Sequence, residues 1–128
     1  MPTTYTPIRY PGGKTKIYPE IKAILETNGL IGCAYHEVFA GGAGLAIKLL
    51  VKGDVSRITI NDYDRAIFCM WDAIVNEPES MCAFVVDAKL DVETWMQHRE
   101  VYRNRDNEEP LQLAKSTFYL NRTNVSGI

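Results

Sequence analysis

Glycines and one carboxylate that could bind a nucleoside stand out in the first half of the chain. Residues 37–44 read Glu-Val-Phe-Ala-Gly-Gly-Ala-Gly, and Asp62 follows 18 residues after Gly44. Glycines let the backbone turn sharply and approach a ligand, and the N–H groups at the start of a following helix add partial positive charge. A carboxylate at the end of the next strand can accept hydrogen bonds from ribose hydroxyls. The pattern therefore predicts a site for a ligand that carries a ribose.

The glycine spacing favours a nucleoside without a pyrophosphate. A dinucleotide fingerprint requires Gly-x-Gly-x-x-Gly, whereas the chain reads Gly-Ala-Gly-Leu-Ala-Ile from Gly42, so that Ile47 occupies the third glycine position. This departure weakens the case for NAD and leaves a ligand such as S-adenosylmethionine. The alternative is a glycine-rich turn with a capping aspartate and no ligand.

A second glycine segment lies near the N-terminus, where residues 12–15 read Gly-Gly-Lys-Thr. It imitates the end of a phosphate-binding P-loop, but Ile8 stands where that pattern requires glycine and Pro11 falls inside the nest of N–H donors. A small P-loop kinase is therefore disfavoured. The remaining set, an aromatic ring at Tyr10, a turn and a lysine, can stack on a purine and place positive charge near an anion. A plain turn is the alternative.

The elements that must position these motifs follow from the hydrophobic pattern. An amphipathic helix is predicted at 17–27, then a strand at 34–39, a helix at 45–51 and a strand at 57–61. These last three elements predict one right-handed βαβ unit with a parallel sheet. The rest of the chain predicts helices only, at 66–75, 78–88, 92–103 and 110–121.

The predicted fold class is α/β, with a βαβ region at 1–62 and a helical region at 63–128. Asp64 and Asp91 stand where they can cap the first and third of the later helices. A parallel sheet is normally covered on both faces and rarely stops at two strands. The pattern therefore resembles the opening half of a doubly wound fold. Association through the uncovered sheet edge is one outcome, and the oligomeric state is left open.

Composition and charge limit the class of protein. The chain has 128 residues, of which 46% are hydrophobic and 23% charged, values typical of one soluble domain. No apolar stretch is long enough for a membrane span, and no signal-peptide layout is present. The net charge is +3 over 1–52, −7 over 53–109 and +2 over 110–128. A polyanion would therefore meet the two ends of the chain, unless the charges are merely solvated surface.

Cysteines and histidines predict no metal site and no disulfide framework. Cys33, Cys69 and Cys82 lack close-spaced partners and sit among apolar neighbours, so buried, reduced thiols are predicted. Reduced thiols point to a cytoplasmic protein. His36 and His98 have no partners at ligand spacing and are predicted to be structural.

Four motifs occur in an order that ties the two regions together. They are Arg-Tyr-Pro-Gly-Gly-Lys at 9–14, Glu-Val-Phe-Ala-Gly-Gly at 37–42, Asn-Asp-Tyr-Asp at 61–64 and Phe-Tyr-Leu-Asn-Arg-Thr-Asn-Val-Ser-Gly at 118–127. In this order they resemble the motifs of the Dam-like DNA adenine methyltransferases. That family transfers a methyl group from S-adenosylmethionine to the exocyclic amine of adenine.

The resemblance implies a cofactor, a partner and two sets of residues. The cofactor is S-adenosylmethionine, and the partner of the full-length protein is double-stranded DNA, with no membrane involved. A restriction-modification system, a virus and a housekeeping pathway all remain open as settings. The residues implied at the cofactor are Tyr10, Gly12, Gly13, Lys14, Glu37, Phe39, Ala40, Gly41, Asp62 and Tyr63. Those implied on the DNA side are Arg9, Asn121, Arg122 and Asn124.

The chain departs from the family pattern in three places. Val38 replaces a proline, Ala43 stands where a second glycine usually falls, and the catalytic motif Asp/Asn-Pro-Pro-Tyr/Phe occurs nowhere in the 128 residues. We therefore expect a partial Rossmann-like methyltransferase fold with no catalytic residue of its own. Such a chain would be a truncated protein, a proteolytic fragment or the product of a shortened gene, and inactive alone. The alternative is a non-catalytic regulatory module that binds the cofactor or DNA.

Overall fold

The computed structural model describes residues 3–127, and the chain divides into two units, Met1–Asp62 and Tyr63–Ile128. Strands occur in the first unit, whereas the described residues of the second unit form helices and their connections. This boundary coincides with the boundary predicted between the βαβ region and the helical region. Each unit has a hydrophobic core of its own.

The first unit contains the predicted βαβ arrangement. Its elements are a 3-10 turn at Lys14–Ile17, α1 at Tyr18–Thr27, β1 at Ala34–Glu37, α2 at Gly44–Val51 and β2 at Arg57–Ile60. The strands are parallel, with Ala34 opposite Arg57 and Glu37 opposite Ile60. The predicted parallel pairing is therefore confirmed, and it places the ends of both strands at one edge, beside the glycine loop.

The first strand ends two residues earlier than predicted. Val38 and Phe39 continue the apolar run, but their side chains are 58% and 73% exposed. The N–H of Ala40 donates to the carbonyl of Asn61 at 2.8 Å, so the loop stays joined to the end of β2 after the regular strand pairing has ended. An apolar run in the sequence therefore did not mark buried strand at these two positions.

One face of the two-stranded sheet is covered by α1 and α2. Leu25, Leu45, Leu49 and Val55 form the buried cluster of this unit. Tyr35 and Ile58 pack against that cluster from the strands, together with residues of α1. Because side chains alternate along a strand, the residues immediately before and after Tyr35 and Ile58 in their strands face the other side of the sheet. These neighbouring residues are exposed.

The second unit is a set of packed helices. They are α3 at Arg65–Asn76, α4 at Pro78–Asp87, α5 at Val92–Arg103 and α6 at Pro110–Thr123. Both predicted caps are confirmed: Asp64 Oδ1 accepts from the N–H of Ala66 at 2.8 Å, and Asp91 Oδ1 accepts from the N–H of Thr94 at 2.7 Å. The core is built from small and apolar side chains of α3, α4 and α6, namely Ala66, Cys69, Ala73, Met81, Leu113 and Ala114.

The thiols are only partly buried as predicted. Cys69 is buried in the helical core, where burial raises the pKa of its thiol, and Cys33 is half-buried. Cys82 is exposed, so the prediction is wrong there, because its neighbour Met81 takes the core-facing position of α4. Over residues 3–127 no helix combines the length and the apolar character needed to span a membrane. That same part of the chain contains no group of three or more side chains arranged to hold a metal ion.

Candidate functional site

The loop between β1 and α2 makes a tight turn at the ends of both strands. Gly41 and Ala43 adopt left-handed backbone conformations, with φ of 50° and 49°, and α2 starts at Gly44. The N–H of Ala43 donates to the carbonyl of Ala40 at 2.7 Å, which closes the turn. Ala43 is thus in a conformation that glycine adopts with less strain, and it is the position at which the family pattern usually has glycine.

Asp62 lies directly against this loop. Its Oδ2 atom accepts a hydrogen bond from the N–H of Gly41 at 2.8 Å. The neighbouring Asn61 side chain donates to the carbonyl of Val38 at 3.1 Å. These two bonds tie the end of β2 to the loop that follows β1, so the carboxylate and the glycines predicted from their spacing do meet in space.

The ring of Tyr10 lies on the backbone of the glycine loop. A Cβ atom added to Gly41 would approach the ring to 2.5–2.8 Å, and one added to Gly42 would lie 2.9 Å from Tyr10 Cβ. Both glycines are required here because the Tyr10 side chain, through its ring at Gly41 and its Cβ at Gly42, occupies the space that a side chain would need. Tyr10 remains 44% exposed, which leaves part of its surface accessible for stacking.

Lys14 and Glu37 form an ion pair beside the loop. The Nζ atom of Lys14 is 2.8 Å from Oε1 of Glu37, and it also donates to the carbonyl of Phe39. Glu37 is only 5% exposed, and its second oxygen, Oε2, is buried without a hydrogen-bond partner. A buried acceptor left unsatisfied costs about 1–3 kcal/mol. A ligand that donates a hydrogen bond to this oxygen would recover that free energy.

Thr15 packs against the start of α2, a contact that the sequence did not predict. A Cβ atom on Gly44 would collide with Thr15 Oγ1, so the two residues are in close contact. The N-cap of α2 is Ala43, whose side chain provides no capping hydrogen bond. No spacing rule connects Thr15 with a helix that begins after an intervening helix and strand, so no sequence signal marked it.

A buried aspartate anchors the segment that carries Lys14. The hydroxyl of Tyr18, at the start of α1, donates to Asp54 Oδ2 at 2.5 Å, and Lys22 Nζ is 3.2 Å from Asp54 Oδ1. The hydrogen bond from Tyr18 lowers the pKa of Asp54, and the same bond raises the pKa of Tyr18. The turn that carries Lys14 ends at Ile17, next to Tyr18, so this anchor holds the turn near the site.

The remaining residues implied at the cofactor have different surroundings. Ala40 is buried, with 3% of its surface exposed, whereas Phe39 is 73% exposed. The carbonyl of Phe39 is the one that Lys14 contacts. Gly12 has a φ of 73° with no atom near its missing Cβ, and Gly13 is exposed. Tyr63 belongs to the second unit and is 96% exposed. The other implied cofactor residues all lie in the first unit.

The residues implied on the DNA side divide between the two units. Arg9 is an exposed residue of the first unit, and Arg122 is an exposed residue near the end of α6. Asn121 is 7% exposed and donates from Nδ2 to the carbonyl of Gly127 at 2.6 Å. Asn124 Oδ1 accepts from Nε1 of Trp95 at 2.9 Å. The sequence did not single out Trp95, because nothing in its spacing links α5 to the end of α6.

Arg122 lines a shallow groove in the second unit. The groove has a volume of about 580 Å³, and its other walls include Leu90, Trp95 and Tyr119. Tyr119 is held there by a hydrogen bond from its hydroxyl to the carbonyl of Lys89 at 2.8 Å. Burial raises the pKa of the Tyr119 hydroxyl.

Comparison with known proteins gives one family match. The family model described as D12 class N6 adenine-specific DNA methyltransferase matches residues 10–128. The match includes the glycine loop, Asp62 and the segment after α6, and it confirms the resemblance inferred from the four motifs. No curated protein matches the chain at a significant level.

Proposed function

Because the chain belongs to the D12 class of N6 adenine-specific DNA methyltransferases, we propose that its first unit is the S-adenosylmethionine-binding portion of such an enzyme. When bound, S-adenosylmethionine supplies an electrophilic methyl group for transfer to the exocyclic amine of adenine. The residues of this chain bind and orient the cofactor. A DNA substrate follows from the family. We propose that this DNA is double-stranded and that Arg9, Asn121, Arg122 and Asn124 form the DNA side of the chain.

The observation that carries the proposal is the unsatisfied carboxylate oxygen of Glu37. Oε2 is buried and has no partner, while Oε1 is already paired with Lys14. The ammonium group of the methionine portion is a donor of the kind that Oε2 lacks. Lys14 adds a positive charge beside it, which suits the methionine carboxylate. We therefore assign Glu37 and Lys14 to the methionine end of the cofactor.

The loop residues suit the nucleoside end. Asp62 is held in place by the N–H of Gly41, so its carboxylate is oriented before a ribose hydroxyl arrives. Tyr10 can stack on the adenine ring with the part of its surface that remains exposed. Phe39, Ala40 and Gly41 would line the pocket, with Gly12 and Gly13 as further contacts.

Methyl transfer needs more than cofactor binding. The 128 residues contain no Asp/Asn-Pro-Pro-Tyr/Phe motif, which in the family accepts hydrogen bonds from the adenine amine and stacks on the flipped base. Near-attack placement of this kind contributes about 7–11 kcal/mol in well-oriented systems, and flipping a base itself costs a few kcal/mol. We therefore propose that these 128 residues bind the cofactor without methylating DNA by themselves.

Calorimetry tests the cofactor site directly. S-adenosylmethionine and its demethylated product should both bind the 128-residue chain, and Asp62→Ala should weaken binding at least tenfold (~1.4 kcal/mol) through the lost loop contact and ribose acceptor. Asp106→Ala, an exposed aspartate in the second unit, is the control and should bind as the wild type does. If neither ligand binds the folded chain, the proposed site is wrong.

Three further experiments separate the alternatives. With tritiated cofactor and an adenine-containing duplex, the chain should leave the DNA unlabelled, and clear labelling would contradict the need for the missing motif. A P-loop protein would instead bind Mg-ATP and lose it with Lys14→Ala. A chain that binds the cofactor but does not support methylation when joined to the rest of an active enzyme would favour the regulatory module.

A further inference from the structure

We propose that Trp95 and Asn121 are positioning residues for DNA binding, because they hold the chain in place at the end of α6. What we call the post-helix segment comprises the last two residues of α6, Arg122 and Thr123, and residues 124–127 after the helix. The side chains of Asn121 and Asn124 act through internal hydrogen bonds, and Arg122 makes the contact with DNA. The inference rests on the proposed DNA-binding role of this segment and changes which of its residues touch the nucleic acid.

The side chain of Asn121 holds the far end of the post-helix segment by a hydrogen bond. Its side chain is buried within α6, and Nδ2 donates to the carbonyl of Gly127 at 2.6 Å. Gly127 has a φ of 77°, a conformation that favours glycine, and its N–H lies 3.3 Å from the carbonyl of Asn124. The chain after the helix therefore folds back over Asn121, and the carboxamide satisfies the carbonyl of Gly127, which lies beyond the end of α6.

Trp95 holds the same segment from a different helix. Its indole Nε1 donates to Asn124 Oδ1 at 2.9 Å, across 29 residues of sequence. The N–H of Asn124 also donates to the carbonyl of Leu120 at 2.8 Å, so its backbone and side chain are both fixed. The guanidinium of Arg99 lies 5.4 Å from the Trp95 ring centre, which further restricts the ring on α5.

The groups that remain available on the segment are not the two asparagines. Arg122 is exposed on the wall of the groove, and Val125 is 98% exposed. An asparagine whose amide is already bonded inside the protein must break that bond before it can bond to DNA, and this opposes direct contact. Arg122 has no such constraint among the contacts described, and guanidinium groups bind phosphate in a bidentate fashion.

A double-mutant cycle tests this division of roles. Binding of the 128-residue chain to a labelled adenine-containing duplex is measured by fluorescence anisotropy at several salt concentrations. Trp95→Phe keeps an aromatic ring, although a smaller one, and removes the N–H. Asn124→Ala removes the acceptor of that bond. Each should weaken binding about tenfold, the effect of one lost hydrogen bond. The double variant should bind no more weakly than either single variant, because both changes remove the same bond.

The salt dependence separates positioning from contact. Arg122→Ala should reduce the slope of the logarithm of the DNA-binding constant against the logarithm of salt concentration by about 0.9, the value expected for one lost phosphate contact. Trp95→Phe should leave this slope unchanged. Asn104→Ala is the matched control, because it removes an exposed side-chain hydrogen bond to Glu108 after α5 without touching the segment. It should bind DNA as the wild type does.

Hydrogen exchange on the chain without DNA tests whether Trp95 and Asn121 hold the post-helix segment in place. Trp95→Phe and Asn121→Asp should both speed amide exchange at residues 124–127 while leaving the core of α6 protected. Unchanged exchange, or losses from Trp95→Phe and Asn124→Ala that add in full, would overturn the inference and assign Asn124 to direct contact. If no form binds DNA, the wild type included, the proposed DNA role fails, and the positioning role fails with it.

Discussion

Replacing Glu37 by methionine should change stability and cofactor binding in opposite directions. In the wild type, the partnerless Oε2 destabilises the free protein by about 1–3 kcal/mol. The ion pair of Oε1 with Lys14 returns less than about 1 kcal/mol, because the lysine side chain is 39% exposed. Methionine has a similar shape and no polar oxygen to leave unpaired. We therefore expect Glu37→Met to raise the free energy of unfolding by about 1 kcal/mol.

The same substitution should weaken cofactor binding. A hydrogen bond between charged groups contributes about 1.5–3 kcal/mol, so losing the acceptor for the ammonium group should raise the dissociation constant about 10- to 150-fold. Glu37→Gln should weaken binding as well, because an amide that turns its NH₂ group towards the ammonium presents a donor to a donor. The two variants differ in stability, since only glutamine buries a new polar group.

Chemical denaturation with and without S-adenosylmethionine measures both effects on one sample. The wild type should gain stability with ligand as RT ln(1 + [L]/Kd), and Glu37→Met should start higher and gain much less. Glu26→Met, at an exposed position of α1, is the control and should alter ligand-induced stabilisation little. A Glu37→Met protein that is clearly less stable would show that Oε2 is satisfied in solution. Unchanged affinity would remove Glu37 from the cofactor site.

Three further predictions concern the backbone of the first unit and one histidine of the second unit. Gly41→Ala should lower the free energy of unfolding by about 2–4 kcal/mol, because the left-handed backbone strains alanine and the new Cβ clashes with Tyr10. Gly29→Ala is the control: its backbone is also left-handed but its surroundings are open, so it should cost only about 1 kcal/mol. Equal losses from the two substitutions would contradict the clash. Ala43→Gly should stabilise the protein by about 0.5 kcal/mol through relief of the same backbone strain, and a loss measured by denaturation would disprove strain there. Burial lowers the pKa of His98 from its ordinary value of 6.5, so the unfolded chain binds the proton more readily than the folded chain does. The free energy of unfolding should therefore fall as the pH drops below about 6.5. Melting curves measured at several pH values should show that His98→Gln flattens this dependence.

The sequence was sufficient for the order of the elements and for the family. Apolar spacing predicted the parallel strand pair, and the predicted caps at Asp64 and Asp91 bond as expected. Both signals are local, since a cap and the helix it starts are neighbours in sequence. The prediction for residues 38–39 was wrong because apolar character is the same in a buried strand and in the exposed loop that Phe39 occupies.

The sequence also predicted that Glu37, Gly41 and Asp62 lie at one site, because each follows or ends a strand and the ends of parallel strands meet at one edge of the sheet. Only the tertiary structure decided what those residues do to one another. The unpaired oxygen of Glu37 and the Tyr10 ring on Gly41 depend on how separate segments pack. So does the bond from Trp95 to Asn124. Such contacts are set by the angles and distances between elements far apart in the chain, and no periodicity in the sequence encodes them.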